Sequence, residues 1–218
     1  MKQPIKRKFI VIFILLFITL SFYEANRLIE PVMIAKAKQE VQASLLKIVH
    51  NCIAHLEFQE NELYAIQKNP KDEITNINYN SYALNQVLYD AIENINQSMN
   101  SAIKGDVDPI TKQIYFDEGI IEELPLGYFT ELAFFTNIGP MIKIKVRSVQ
   151  SVSGNYEIYN EPYGINNTLL KITLKVKIKA DIFAGISRET IEMVEEIPIV
   201  LQLIQGVIPQ YVPLVNPH

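Results

Sequence analysis

The sequence predicts an α+β fold: an N-terminal transmembrane helix followed by helices packed on a largely antiparallel β-sheet. Three observations carry this. Phe9 to Tyr23 is an uncharged apolar run preceded by Lys2, Lys6, Arg7 and Lys8. From Ser81 to Lys104 the apolar residues recur at helical spacing. After Asp106 the period of the pattern falls from 3.6 to 2 and stays there.

The apolar run sets the organisation. Its fifteen residues would rise roughly 22 Å as a helix, short of a hydrocarbon core of ~30 Å. Ile5 and Ala25 extend it, and the flanking cations reach toward the headgroups. A cleavable signal needs small residues just before the cut, and Ser-Phe-Tyr-Glu-Ala-Asn puts bulky Tyr23 there. Residues 9–25 therefore read as a signal-anchor, with Phe9, Phe13, Leu16, Phe17 and Leu20 as membrane-anchor residues and the lipid bilayer as first partner. Residues 1–8 become a cytoplasmic basic tail and the C-terminal domain extracytoplasmic, because basic flanks stay inside. Residues 26–58 read as a stalk or packing helix, and 59–218 as a single α+β extracytoplasmic domain.

Composition narrows the partners. Beyond the basic tail, 16 basic residues face 24 acidic ones, a balance that argues against nucleic acid. The one cysteine, Cys52, permits no internal disulfide, so the domain must hold by packing.

Along the chain, Ile34, Val41, Leu45, Ile48, Cys52 and Leu56 form one helical stripe, with a break expected near Pro31. Residues 62–68 and 73–79 read as a hairpin turning through Asn69-Pro70-Lys71-Asp72. Asn80-Ser81 caps the helix that ends at Gly105. Gln113–Phe116 reads as a short strand, Met141–Arg147 as a half-buried strand, and Val149–Tyr159 as extended or a hairpin around Gly154. The longest alternation sets Leu170, Ile172, Leu174, Val176 and Ile178 against Lys171, Thr173, Lys175, Lys177 and Lys179. Thr190–Leu203 would close the sheet, with Glu189, Glu192, Glu195 and Glu196 available opposite the lysines.

No nucleotide loop, nucleophile elbow or zinc-binding helix motif is present. His50, Cys52 and His55 point to different sides of a helix, so no metal site is assigned and no cofactor is expected. Asp106, Asp108, Asp117 and Glu118 lie in loop-like sequence where acids are ordinarily solvated. They are the acids that an envelope or cell-wall hydrolase would use. No catalytic residue is assigned, and the chain does not read as an enzyme.

A family resemblance adds to this. Pro125-Leu126-Gly127, Gly139-Pro140 before the Ile142–Val146 strand, and Ser151-Val152 are similar to the succession in the YunB family of sporulation proteins. Gly164-Ile165-Asn166-Asn167-Thr168, the ending Ile204-Gln205-Gly206-Val207-Ile208-Pro209-Gln210-Tyr211, and Asn26-Arg27 with Ile29-Glu30-Pro31 resemble it too. The family usually reads Asn-Gln-Thr where this chain has Asn166-Asn167-Thr168, and Leu201-Gln202-Leu203 replaces an apolar-acidic step. The resemblance implies a single-pass membrane protein needed for endospore formation and made in the mother cell, in the mother-cell or forespore membrane. It brings no catalytic residues.

Together these give a membrane-anchored sporulation protein acting by protein binding or scaffolding, with an envelope protein of the spore as partner. Gly164, Ile165, Asn166, Asn167 and Thr168 form the candidate interaction loop, or are simply strand-entry turn chemistry. Pro125, Leu126, Gly127, Tyr128 and Phe129, with Phe134 and Phe135, form a candidate apolar rim or else core. A homo-oligomer, self-assembled through the sheet edge or the Ile34–Leu56 helix, is the third reading.

Overall fold

A computed structural model describes residues 4–70, 74–130, 132–164 and 167–205. Two helices lie on one face of a four-stranded antiparallel sheet. Helix α1 runs Pro4–Ala54 and α3 runs Ser81–Lys104, with the short α2 at Glu60–Leu63 between them. Strands β1 (Tyr64–Lys68) and β2 (Ile74–Tyr79) form a separate antiparallel pair. The main sheet, in order β3-β4-β5-β6, comprises Ile120–Pro125, Met141–Tyr163, Asn167–Ala184 and Ser187–Gln205. The α+β architecture is as the sequence predicts. Among the described residues, no helix is long and apolar enough to cross a membrane.

The expected break at Pro31 is absent, for α1 continues through it. A proline there forfeits one backbone hydrogen bond, but packing beyond it compensates. Met33, Ala37, Val41, Leu45, Ile48, Val49 and Cys52 are all buried, the i, i+4 stripe of a helix seated on a sheet. Polar ties fix α1 along β6. Ser187 Oγ donates to Glu30 at 2.8 Å, Lys38 Nζ to Glu189 at 3.0 Å, and His50 Nε2 lies 3.1 Å from Glu195.

Helix α3 is delimited as its sequence demands. Asn80 caps it by accepting from the Ala83 N–H, and Gly105 ends it in the left-handed region at φ 78°. Its stripe Leu84, Val87, Ala91, Ile95, Met99 and Ala102 is buried. The first half packs with Leu63, Leu170, Ile172, Leu174, Val200 and Ile204; the second joins the α1 core over Val176, Ile178, Ala180 and Ile182. Since α1 meets the β5–β6 turn at its Glu30 end, α1 and α3 run antiparallel over the sheet.

Of the two readings of Val149–Tyr159 the extended one holds, and one short strand needs correction. No turn forms at Gly154; β4 is continuous and Gly154 pairs with Val176. A Cβ there would sit 2.7 Å from the Lys175 carbonyl and 3.3 Å from Leu88 Cδ1, so glycine serves close approach of α3, not chain reversal. Gln113–Phe116 is not a strand; nearby only an isolated bridge joins Asp117 to Ile120.

Candidate functional site

The expected interaction loop is the turn between β4 and β5. Tyr163 faces Asn167 and Pro162 faces Thr168, closing the hairpin. Gly164 adopts φ 69° with nothing within 4 Å of where a Cβ would stand. Ile165 and Asn166 lie outside the described residues, as does the Phe9 side chain. The tip projects from the end of the sheet opposite to the one α1 enters, because the β5–β6 turn beside Glu30 is at the other end of β5.

One face of the sheet is covered by the helices and the other is open. Alternation places Leu170 to Ala184 inward at even positions and Lys171, Lys175, Lys177 and Lys179 outward. The expected pairs with β6 form in part: Lys175 Nζ is 2.8 Å from Glu196 and Lys177 Nζ is 2.6 Å from Glu192, while Glu189 and Glu195 turn to Lys38 and His50 on α1. Glu157 on β4 approaches Lys175 from the other side at 3.7 Å.

On the same outer face sits a group that sequence reasoning missed. Asp181 is 4% exposed and accepts hydrogen bonds from Thr190 Oγ1 (2.7 Å), Arg188 Nη2 (2.9 Å), Gln150 Nε2 (2.9 Å) and Ser148 Oγ (3.3 Å). Bonds from Thr190, Arg188 and Gln150 hold its carboxyl well below the usual carboxylate range. Two register shifts in β4, at 146/148 and 149/151, build the nest. Unbulged alternation after buried Ile144 and Val146 would turn Ser148 inward; the bulge sets it opposite Asp181. The available signal was parity: Asp181 continues the outward series 171, 173, 175, 177 and 179, with hydroxyl residues facing it across both neighbouring strands.

The apolar rim divides. Pro125 ends β3 opposite Met141, and Leu126–Thr130 forms a 3-10 turn. Within it Gly127 and Phe129 are buried, while Tyr128 is exposed, stands edge-on to Phe129 at 5.6 Å and lies 5.9 Å from Lys36 Nζ. The exposed apolar surface continues instead into Leu132, Phe134 and Phe135.

The four loop acids do not come together; Asp108 alone is joined to Cys52, through the Ser98 hydroxyl. Asp108 is fully buried and accepts from Ser98 Oγ at 2.8 Å, from the Ile110 and Thr111 amides and from the Thr111 hydroxyl. Burial alone would raise its pKa, but these bonds outweigh it and the carboxyl titrates low. It ties the loop after α3 back onto that helix. Asp106 is exposed, and Asp117 and Glu118 form the exposed turn into β3. Cys52 Sγ donates to Ser98 Oγ at 3.1 Å, and burial pushes the thiol up to about 11, leaving it un-ionised at neutral pH. His50 turns to Glu195, and His55 Nδ1 lies 2.7 Å from the Asn51 carbonyl. Among the described residues no group of His, Cys, Asp and Glu is placed to hold a metal ion.

Comparison with known proteins agrees with the resemblance seen in the motifs. The family model described as Sporulation protein YunB (Spo_YunB) matches residues 121–211, which take in β3 to β6. Sporulation protein YunB of Bacillus subtilis (strain 168) is 23% identical over 204 residues, covering 92% of this chain and 78% of that protein. No solved structure matches the chain.

Proposed function

We propose, from the similarity to sporulation protein YunB over most of the chain, that this protein serves in sporulation as a membrane-anchored domain that binds a protein of the spore envelope. The observation that carries the anchor is the exposure of α1. Ile10, Ile12, Phe13, Ile14, Leu15, Leu16, Phe17, Ile18 and Leu20 are 45–68% exposed. Successive residues turn by about 100°, so these side chains point all round the helix. A helix apolar on every side belongs in a large core or a bilayer, and the domain offers it no core. Thr19 bonds back to the Leu15 and Leu16 carbonyls at 3.0 and 2.9 Å, hiding its hydroxyl as a threonine in hydrocarbon does. Lys6, Arg7 and Lys8 orient the span with the domain outward.

Binding, not catalysis, is the reading for the domain. Among the described residues, the buried Asp108 and Asp181 are each saturated by their own surroundings, and Cys52 is sealed in the core. Among the described residues, the outer sheet face and Gly164 stay open, and Gly164–Thr168 is the candidate contact.

A reporter active only outside the cytoplasm, fused after His218 in a spore-forming host, tests topology together with the N-terminus of the mature chain. The expected outcome is an active reporter with Lys2 retained, and fewer heat-resistant spores when the chain is deleted. An inactive reporter overturns the orientation, and a new N-terminus near Ala25 overturns the tether.

A further inference from the structure

We infer that the end of the domain where α1 enters is itself a lipid-seating surface, formed by the loop before β4 and the β5–β6 turn. This rests on the membrane anchor proposed above and adds a second, separate contact with the bilayer. Residues 132–142 read Leu-Ala-Phe-Phe-Thr-Asn-Ile-Gly-Pro-Met-Ile, without a charge, in a chain that is 20% charged. Leu132, Phe134, Phe135, Ile138 and Met141 are all exposed, Phe134 at 92%. Ile186, at the β5–β6 turn, is 89% exposed.

The register brings these two segments to one end. Ile144 lies opposite Ala184, and the Gly185 N–H donates to the Lys143 carbonyl at 3.3 Å. Met141 and the loop before it therefore extend past the β5–β6 turn. Helix α1 arrives at the same place, with Glu30 bonded to Ser187 and Met33 Sδ 3.7 Å from where a Gly185 Cβ would stand. Five residues separate Ala25 from Glu30, a helical rise of roughly 8 Å, which is about the depth of one headgroup layer. A continuous helix thus fixes the exposed apolar end at the level of the headgroups.

The loop is built to tolerate that setting. Four backbone bonds hold it closed: the Gly127 amide donates to Ile138, Ile138 to Phe135, Phe135 to Leu132, and Leu126 to Pro140, all at 2.8–2.9 Å. Thr136 Oγ1 turns back to the Ala133 carbonyl at 3.2 Å. A loop closed by its own bonds, with aromatic and aliphatic side chains turned out, is suited to the headgroup boundary, where water and headgroups still reach its remaining amides. The short helical distance from the apolar run of α1 selects lipid over a protein partner.

The chain contains no tryptophan, so a single introduced indole reports its own surroundings. The full chain carrying Phe134→Trp, Ile186→Trp or, as a control at the distant start of α3, Tyr82→Trp is reconstituted into phosphatidylethanolamine–phosphatidylglycerol vesicles with and without brominated acyl chains. Blue-shifted emission quenched roughly twofold at 134 and 186, but not at 82, is the expected result. Solvent-like, unquenched emission at 134 and 186 from chain that floats with the vesicles overturns the seating and leaves the anchor standing. A blue shift without quenching also overturns it, since protein and not lipid would then cover the loop. Failure to float with vesicles overturns the anchor and this inference together.

Discussion

Asp181 shows what a single residue can do at the open face of a sheet. Four side chains from the two neighbouring strands converge on it, so it links β4, β5 and β6 where the β4 ladder is interrupted by bulges. Its folded-state pKa is lowered, while a free aspartate titrates near ~3.9. Its contribution to stability is therefore complete above the unfolded value and is lost as pH falls through and below it. Thermal melts of Asp181→Asn should show a lower Tm than the parent at pH 7, and the gap should close below about pH 4. An equal gap at all pH values would mean that shape, not charge, holds the nest.

At the scale of elements, the loop between β3 and β4 depends on one backbone position. A Cβ on Gly127 would stand 1.8 Å from the Phe135 carbonyl and 2.6 Å from that of Ile138. Gly127→Ala should therefore expel the loop from its seat under Phe129, with a loss of ~2–4 kcal/mol and faster amide exchange at 135 and 138. An unchanged exchange pattern would show that the loop shifts freely.

These elements also mark how far the sequence could be read. Helix α3 was legible because Asn80, the apolar stripe and Gly105 all agree. Strand β5 was legible because one face is apolar and the other is lysine. Strand β4 was legible only in part: glycine and serine between 148 and 154 left extended and hairpin readings open, whereas they admit close approach of β5 and of Leu88 on α3 and supply Ser148 to Asp181. Pro31 was read as a break because local propensity says so, and the packing from Met33 to Cys52 overrides it. The hairpin tip was found as a loop, but its place at the far end from α1 follows only from the pairing register. For the rim, sequence left exposed and core readings open, because an exposed Phe134 and a buried Phe129 are indistinguishable by composition.

For the whole molecule, the length of the β4–β5 hairpin has a consequence of its own. Eighteen paired positions separate the turn at Gly185 from the tip at Gly164, about 60 Å at ~3.4 Å per residue. With one end of the sheet at a bilayer, the hairpin becomes a calliper: it sets how far from the lipid the tip can touch, and strand length is the adjustment. Removing two facing residues from each of β4, β5 and β6 keeps every side chain on its own face and draws the tip in by ~7 Å. Removing one from each strand turns the lysine face inward and should abolish folding. If the two-residue version folds with a near-parental Tm but sporulates poorly, the spacing itself is under selection; if it sporulates normally, the tip tolerates a range of distances.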